Sequence, residues 1–157
     1  MTRLRILAVA LLAALGSCAT TTTPVHNAPS GGPQTVTDMD GVAHSLSGRP
    51  VALVFWQTWC ASCKREAPEV TAAARRNEGR IQFLGVVPGS DEDVDDREVE
   101  QVAREWGLAY PQVRDRDLGL SDHYDVEGTP TIIVLDAGGR VRYRGHRPPA
   151  DWGALVQ

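Results

Sequence analysis

Two cysteines three residues apart, in Trp59-Cys60-Ala61-Ser62-Cys63, are the residues of this 157-residue chain best suited to chemistry. They stand between an apolar run, Val51-Ala-Leu-Val-Phe-Trp56, and a stretch with helical patterning, so the pair falls at a strand-to-helix junction. Two thiols at that spacing can close a small disulfide ring, and the positive end of a helix favours a thiolate at the first of them. The chemistry this predicts is redox exchange. Of the 3 cysteines, Cys18 belongs to an export signal, so neither Cys60 nor Cys63 has another thiol to pair with in the folded part. A structural zinc half-site and a local disulfide staple are the competing readings. Tetrahedral zinc takes four ligands, however, and His26, His44, His123 and His146 are scattered singly.

The chain opens Met1-Thr-Arg-Leu-Arg5 and continues with ten apolar residues, Ile6 to Leu15, before Gly16-Ser17-Cys18. A helix needs about 20 apolar residues to cross a bilayer, so residues 1–17 read as a signal peptide and not as a membrane span. The segment resembles a bacterial lipoprotein signal, whose lipobox ends in the cysteine at the cleavage point. That resemblance implies that Cys18 is the lipidated first residue of the mature protein. Because no aspartate follows it, a cell with two membranes would sort it to the outer one, facing the periplasm. An ordinary secretory signal cleaved near Ala19 is the alternative, and either reading puts the folded part outside the cytoplasm. Residues 18–34 read as a lipid-attached flexible tether, since Ala19 to Gln34 holds three prolines, two adjacent glycines and no apolar periodicity. As a coil the run would reach about 20 to 25 Å.

Residues 35–157 suffice for one domain and are too few for two. Without Arg3 and Arg5 the mature chain keeps 14 basic against 20 acidic groups, a balance that argues against nucleic acid as a partner. Thr35 to Met39 and Val42 to Leu46, joined by Asp40-Gly41, predict a hairpin, because Asp-Gly tolerates the positive φ of tight turns. Val51–Trp56 is a buried strand, Ser62 to about Asn77 a helix interrupted at Pro68, and Ile81 to Val87 a second core strand. Gly89 to Asp96 is an acidic loop and helix entry without the glycine and ligand order of a calcium loop. A helix over Arg97–Trp106 closed by Gly107 follows, then a short strand Tyr110–Val113 and a short helix Leu118–Tyr124. Thr131–Leu135 and Arg140–Arg144 form an antiparallel hairpin, and a last helix starts at Pro149.

Alternating strands and helices that end in a hairpin indicate an α/β sandwich around a mixed sheet. This order, the Trp-Cys-x-x-Cys motif, Pro68 and Gly128-Thr129-Pro130 together resemble the thioredoxin fold. The leading hairpin, the insertion after the second core strand, Lys64 to Pro68, and Tyr124-Asp-Val-Glu-Gly-Thr-Pro130 resemble the TlpA/ResA-like branch of exported thiol-disulfide oxidoreductases. The likeness covers nearly all of residues 35–157. It implies a thioredoxin-like domain with an N-terminal β-hairpin extension, and a cis proline at Pro130 that sets the Thr129 backbone beside the cysteines as a substrate-binding edge. It also implies pathways such as cytochrome c maturation or copper-site assembly, and recharging by a membrane electron donor of the DsbD/CcdA type.

On a helical wheel Cys63, Ala67, Val70 and Ala74 share the arc facing the sheet, with Glu66 at its margin. A half-buried carboxyl beside a thiol can exchange protons with it, and the TlpA/ResA-like family carries an acidic residue at this offset. Thioredoxin's own buried aspartate, six residues before the first cysteine, is Val54 here. Trp56 and Trp59 wall the site, and Lys64 lies one turn past Cys60.

The expected catalytic set is thus Cys60, Cys63 and Glu66, with Trp59, Thr129 and Pro130 holding substrate, and no cofactor or metal beyond the Cys60–Cys63 disulfide. Cys60, exposed at the helix start, attacks a substrate disulfide; Cys63, buried, resolves the mixed disulfide. Ala61-Ser62 lacks the histidine of the strongly oxidising Cys-Pro-His-Cys type, which favours a reductant. The partners expected are a disulfide-bearing protein, the electron donor and the membrane through the lipid anchor, with the protein itself a monomer. Two alternatives belong to other classes. A peroxiredoxin-type thiol peroxidase would need threonine and proline where Gln57 and Leu53 stand, and a copper-binding thioredoxin-fold carrier would use both thiols with a histidine.

Overall fold

The computed structural model describes residues 32–157, so the signal, Cys18 and most of the tether lie outside the described residues. Thr35–Thr37 (β1) and Ala43–Ser45 (β2) pair antiparallel. Their turn is held by Asp38, whose Oδ1 accepts from the Asp40 and Val42 amides, and by Gly41 at a φ of 82°. The main sheet comprises β3 (Val51–Phe55), β4 (Gln82–Pro88), β5 (Gln112–Asp115), β6 (Thr131–Leu135) and β7 (Val141–Gly145), in the order β5-β4-β3-β6-β7. All five residues of β3 and of β6 are buried, as continuous apolar runs covered on both faces must be. Parallel pairing of β3 with β4 and of β4 with β5 requires crossover segments, supplied by α1 (Ala61–Arg76) and α2 (Asp96–Glu105). β6 and β7 run antiparallel to their neighbours. The C-terminal ends of β3, β4 and β5, the start of β6 and the end of β7 therefore share one edge of the sheet.

Period-two alternation divides the core. Leu53, Phe55, Leu84, Val86, Ile133 and Leu135 face the hairpin residues Val36 and Leu46 and, from the short helix α3 (Gly119–His123) and its end, Leu120 and Tyr124. Ala52, Val54, Ile132 and Val134 face Val70 and Ala73 of α1. This is the thioredoxin-like α/β fold that the element order predicts, with the hairpin as its N-terminal extension.

Most element bounds fall within a residue or two of expectation, with two exceptions. β5 starts at Gln112 rather than Tyr110 and runs through two charged residues, Arg114 and Asp115, whose burial depends on partners elsewhere in the fold. The expected helix from Pro149 is only a 3-10 turn, Ala154–Val156. Trp152 instead pins this segment by packing on Phe83 at 4.8 Å between ring centroids.

Candidate functional site

The strand β3 delivers Trp56 to the shared sheet edge, and the turn that follows places Cys60 at the head of α1, where its amide donates to the Gln57 carbonyl (3.0 Å). Cys60 is the N-cap residue of that helix, and its sulfur accepts from the Cys63 amide at 3.1 Å. A sulfur so placed lies against the unpaired amides of the first turn, the environment that stabilises a thiolate. Cys60 and Cys63 are joined as a disulfide with 5.3 Å between their Cα atoms. The expected contrast in exposure is absent from this oxidised form, since Cys60 is 5% and Cys63 6% exposed. Cys60 is packed in one buried cluster with Trp56, Val87 and the α2 residues Val99 and Ala103. The asymmetry lies in placement instead, because Cys63 and not Cys60 lines the cavity beneath the disulfide.

That cavity, about 20 Å³, has room for roughly one water molecule. Its walls are Trp56, Cys63, Glu66, Trp106, Tyr110 and Pro130, with aliphatic side chains of β3, α1 and β6. Glu66 brings the one carboxyl group. Its Oε2 is buried with no hydrogen-bond partner, while the rest of the side chain is only half-buried. Burial holds this carboxyl above the ordinary glutamate range; Glu69 pushes the same way, and Arg147, Arg65 and His146 pull against it. The Tyr143 hydroxyl is also raised, by burial and then by the charge of Glu66. A group that gains a proton more readily than usual thus shares a small, largely apolar space with the inner cysteine.

Pro130 closes the other side. The Thr129–Pro130 peptide is cis, both residues are half-buried, and Pro130 immediately precedes β6 at the site edge. Trp59 stands out from the surface, 75% exposed, beside Cys60 and away from the cavity. Trp56 does the inner work attributed to both tryptophans. It is buried, leans on Trp106 at 5.3 Å, and donates from Nε1 to Gln112 Oε1 at 2.8 Å. Gly85 makes that bond possible, because a Cβ there would lie 2.0 Å from Gln112 Oε1. Lys64 is exposed, and His123 stacks edge-on against Tyr124 (4.6 Å). Among the described residues no group of three or more histidine, cysteine or carboxylate side chains is arranged to hold a metal ion.

Cys60, Cys63, Glu66 and Pro130 therefore meet, with Trp59 and Thr129 at the rim; Cys18 lies outside the described residues. Trp106, Tyr110, Arg147 and His146 were not foreseen as neighbours of the site. They arrive from α2, the approach to β5 and the end of β7, and no local spacing signals them.

Several known proteins are similar to this chain. A thiol-disulfide oxidoreductase ResA from Geobacillus kaustophilus is 34% identical over 112 residues, which cover 68% of this chain and 62% of that protein. The chain thus spans less than two thirds of the length of that relative. Among solved structures, a secreted Mycobacterium tuberculosis disulfide oxidoreductase homologous to Escherichia coli DsbE superposes with a TM-score of 0.60 at 24% identity, covering 76% of this chain and 87% of its own. The thioredoxin domain of a thiol-disulfide oxidoreductase from Bacteroides vulgatus superposes with a TM-score of 0.62 at 22% identity, covering 73% and 84%. Residues 28–144, well over half of the sequence, match the family described as AhpC/TSA, and the chain belongs to that family.

Proposed function

We propose that this protein is an exported thiol-disulfide oxidoreductase that reduces disulfides in extracytoplasmic proteins. The observation that carries the reading is the Cys60–Cys63 disulfide at the N-cap of α1, set against Pro130 and a carboxyl group with no partner. The relatives named as thiol-disulfide oxidoreductases support it. In the reduced protein the Cys60 thiolate attacks one sulfur of a substrate disulfide, forming a mixed disulfide and releasing a substrate thiolate. Cys63 then gives its proton to Glu66 and attacks the Cys60 sulfur, which expels the second substrate thiolate and restores the Cys60–Cys63 disulfide. Two electrons pass from the dithiol to the substrate, and a membrane donor of the DsbD/CcdA type returns them. The Thr129 backbone pairs with the extended substrate segment and Trp59 covers it.

Cys18 carries the lipid that ties the domain to a bacterial membrane, the outer one where two are present, and residues up to 34 form the tether. The substrates belong to cytochrome c maturation or copper-site assembly, and the protein works as a monomer. A Cys63→Ala variant expressed in the native cell tests the reading, since it cannot resolve the mixed disulfide. Exported proteins are expected to accumulate as covalent adducts of Cys60, and the reduced parent protein to reduce a peptide disulfide. No adducts and no reduction, with Cu(I) held by the dithiol against a chelator, would favour the copper-carrier alternative instead.

A further inference from the structure

Just past the end of β7, His146 reaches the site, a residue that no step of the proposed exchange touches. Its Nδ1 lies 2.8 Å from the Pro130 carbonyl oxygen and 3.4 Å from the Thr131 hydroxyl. A carbonyl oxygen only accepts, and the Thr131 hydroxyl spends its proton on the Gly128 carbonyl at 2.6 Å. Both neighbours of Nδ1 are therefore acceptors toward the ring, and Nδ1 must carry a hydrogen. Nε2 is left to the solvent side, because the residue is exposed while its Nδ1 is engaged. No backbone group of β7 serves the Pro130 carbonyl. The register of β6 with β7 ends at Ile132 paired with Gly145, one position short of the site loop. His146 thus extends the ladder by a side chain, beyond the last backbone pairing, to Pro130, which lines the cavity with Cys63.

We infer that His146 is a positioning residue for the Thr129–Pro130 loop, holding the Pro130 carbonyl through Nδ1–H so that the loop edge keeps the geometry in which it pairs with an extended substrate segment. This rests on the proposed disulfide-reductase reading and goes beyond it by assigning a residue on the opposite strand to substrate docking. The role belongs to docking and not to thiol chemistry, since His146 touches neither sulfur and meets the loop only at its exit.

The donor's position along the side chain makes the test sharp. The side-chain amide of asparagine places an N–H at the same δ position as Nδ1, whereas glutamine moves it one bond further out, and phenylalanine keeps the ring and removes the donor. His146→Phe is expected to raise KM for a peptide disulfide roughly three- to tenfold, the weight of one hydrogen bond, with the alkylation rate of Cys60 unchanged. His146→Asn is expected to restore most of that KM, and His146→Gln to behave like His146→Phe. An unchanged KM in His146→Phe, or no difference between the asparagine and glutamine variants, overturns the inference. A readout independent of activity is the ring itself. Nitrogen-resolved NMR of the neutral imidazole is expected to place the proton on Nδ1, and a proton on Nε2 overturns the hydrogen bond directly. Were the parent protein to reduce no disulfide at all, the proposed function would fail while the ring tautomer still decided the contact.

Discussion

Two helices leave the same edge of the sheet, and each carries a carboxyl group near its start, yet the two groups are treated in opposite ways. At the head of α2, Asp96 is met by Arg114 (Oδ1) and by Arg116, whose Nη2 lies 2.9 and 2.8 Å from its two oxygens. The Arg114 side chain is 1% exposed and also donates to the Gly89 and Ser90 carbonyls, so the charge pair binds the β4–α2 connection to β5. Asp91 joins the same network through Arg116 at 2.7 Å. In the second turn of α1, Glu66 has no such partner, and one of its oxygens is buried beside Cys63. A carboxylate gripped by two guanidinium groups serves to hold structure. One with a buried oxygen that has no hydrogen-bond partner, and whose burial outweighs the pull of Arg147, Arg65 and His146, takes up a proton more readily and can exchange it with its neighbour. The difference separates a structural clamp from the carboxyl group proposed to take the Cys63 proton.

The clamp is where substitution should cost most stability. Asp96→Ala leaves the buried Arg114 charge with only Asp91, 3.6 Å away, to answer it. Removing one partner of a buried pair is destabilising by about 3 to 5 kcal/mol, and the half-exposed position of Asp96 brings the expected loss down to about 2 kcal/mol. Urea unfolding measures it. The reduction of a peptide disulfide by the folded variant should stay near the parent rate, and a large loss of rate at unchanged stability would show that the clamp belongs to the site.

Asp38 is an intermediate case, a paired carboxylate remote from the site. Burial would raise it, but the His44 ring at 2.7 Å and the Val42 and Asp40 amides outweigh that and hold it below the ordinary aspartate range. A depressed native value means stability that is present above the ordinary aspartate range and is lost as the pH falls through the native value. Asp38→Ala is therefore expected to cost about 1 to 2 kcal/mol near neutral pH, and the gap to the parent should close in acid. Unfolding curves across that range check it; a gap independent of pH would mean that the hairpin turn does not depend on the charge.

How much of this was legible in the sequence follows the same division. The cysteines, Pro130 and Glu66 were legible because each depends on chemistry carried by a short run of residues: a thiol pair at a helix start, an X-Pro bond before a strand, a carboxyl one turn past a cysteine. The clamp was not, since nothing in Gln112-Val-Arg-Asp115 announces that Arg114 is buried. The apolar pattern points to a strand from Tyr110 for this reason. Asp115 is another such case, buried at 3% exposure because its oxygens accept from the Leu120 and Ser121 amides of α3. The acidic segment Gly89–Asp96 read as a solvated loop, and only the fold brings Arg114 and Arg116 across from β5 to it. The enclosure of Cys60 was hidden too, because it comes from α2, far along the chain.

The smallest effect on stability, and the sharpest test of the comparison, belongs to Glu66. Glu66→Gln keeps the shape and removes the ionisable proton, and it discards no ion pair, so its effect on folding should stay within about 1 kcal/mol. The sign of the pH dependence is fixed by the direction of the shift. Because burial raises the native value, the folded protein still holds a proton at pH values where the unfolded chain has released it. Stability contributed by Glu66 is therefore lost as the pH rises from the ordinary glutamate range through the raised native value, and levels off above it. Glutamine has no such loss, so the variant should gain on the parent over that window and keep a constant lead beyond it. The same substitution should change the pH dependence of resolution by Cys63 more than that of the first attack by Cys60, since only Cys63 shares the cavity with Glu66. Stopped-flow fluorescence separates the two steps, with Trp56 in the cavity wall as the reporter. A stability difference that does not vary with pH, together with unchanged profiles for both steps, would make Glu66 an ordinary helix glutamate. The contrast with Asp96 would then be one of packing alone, and proton transfer from Cys63 would fall to solvent.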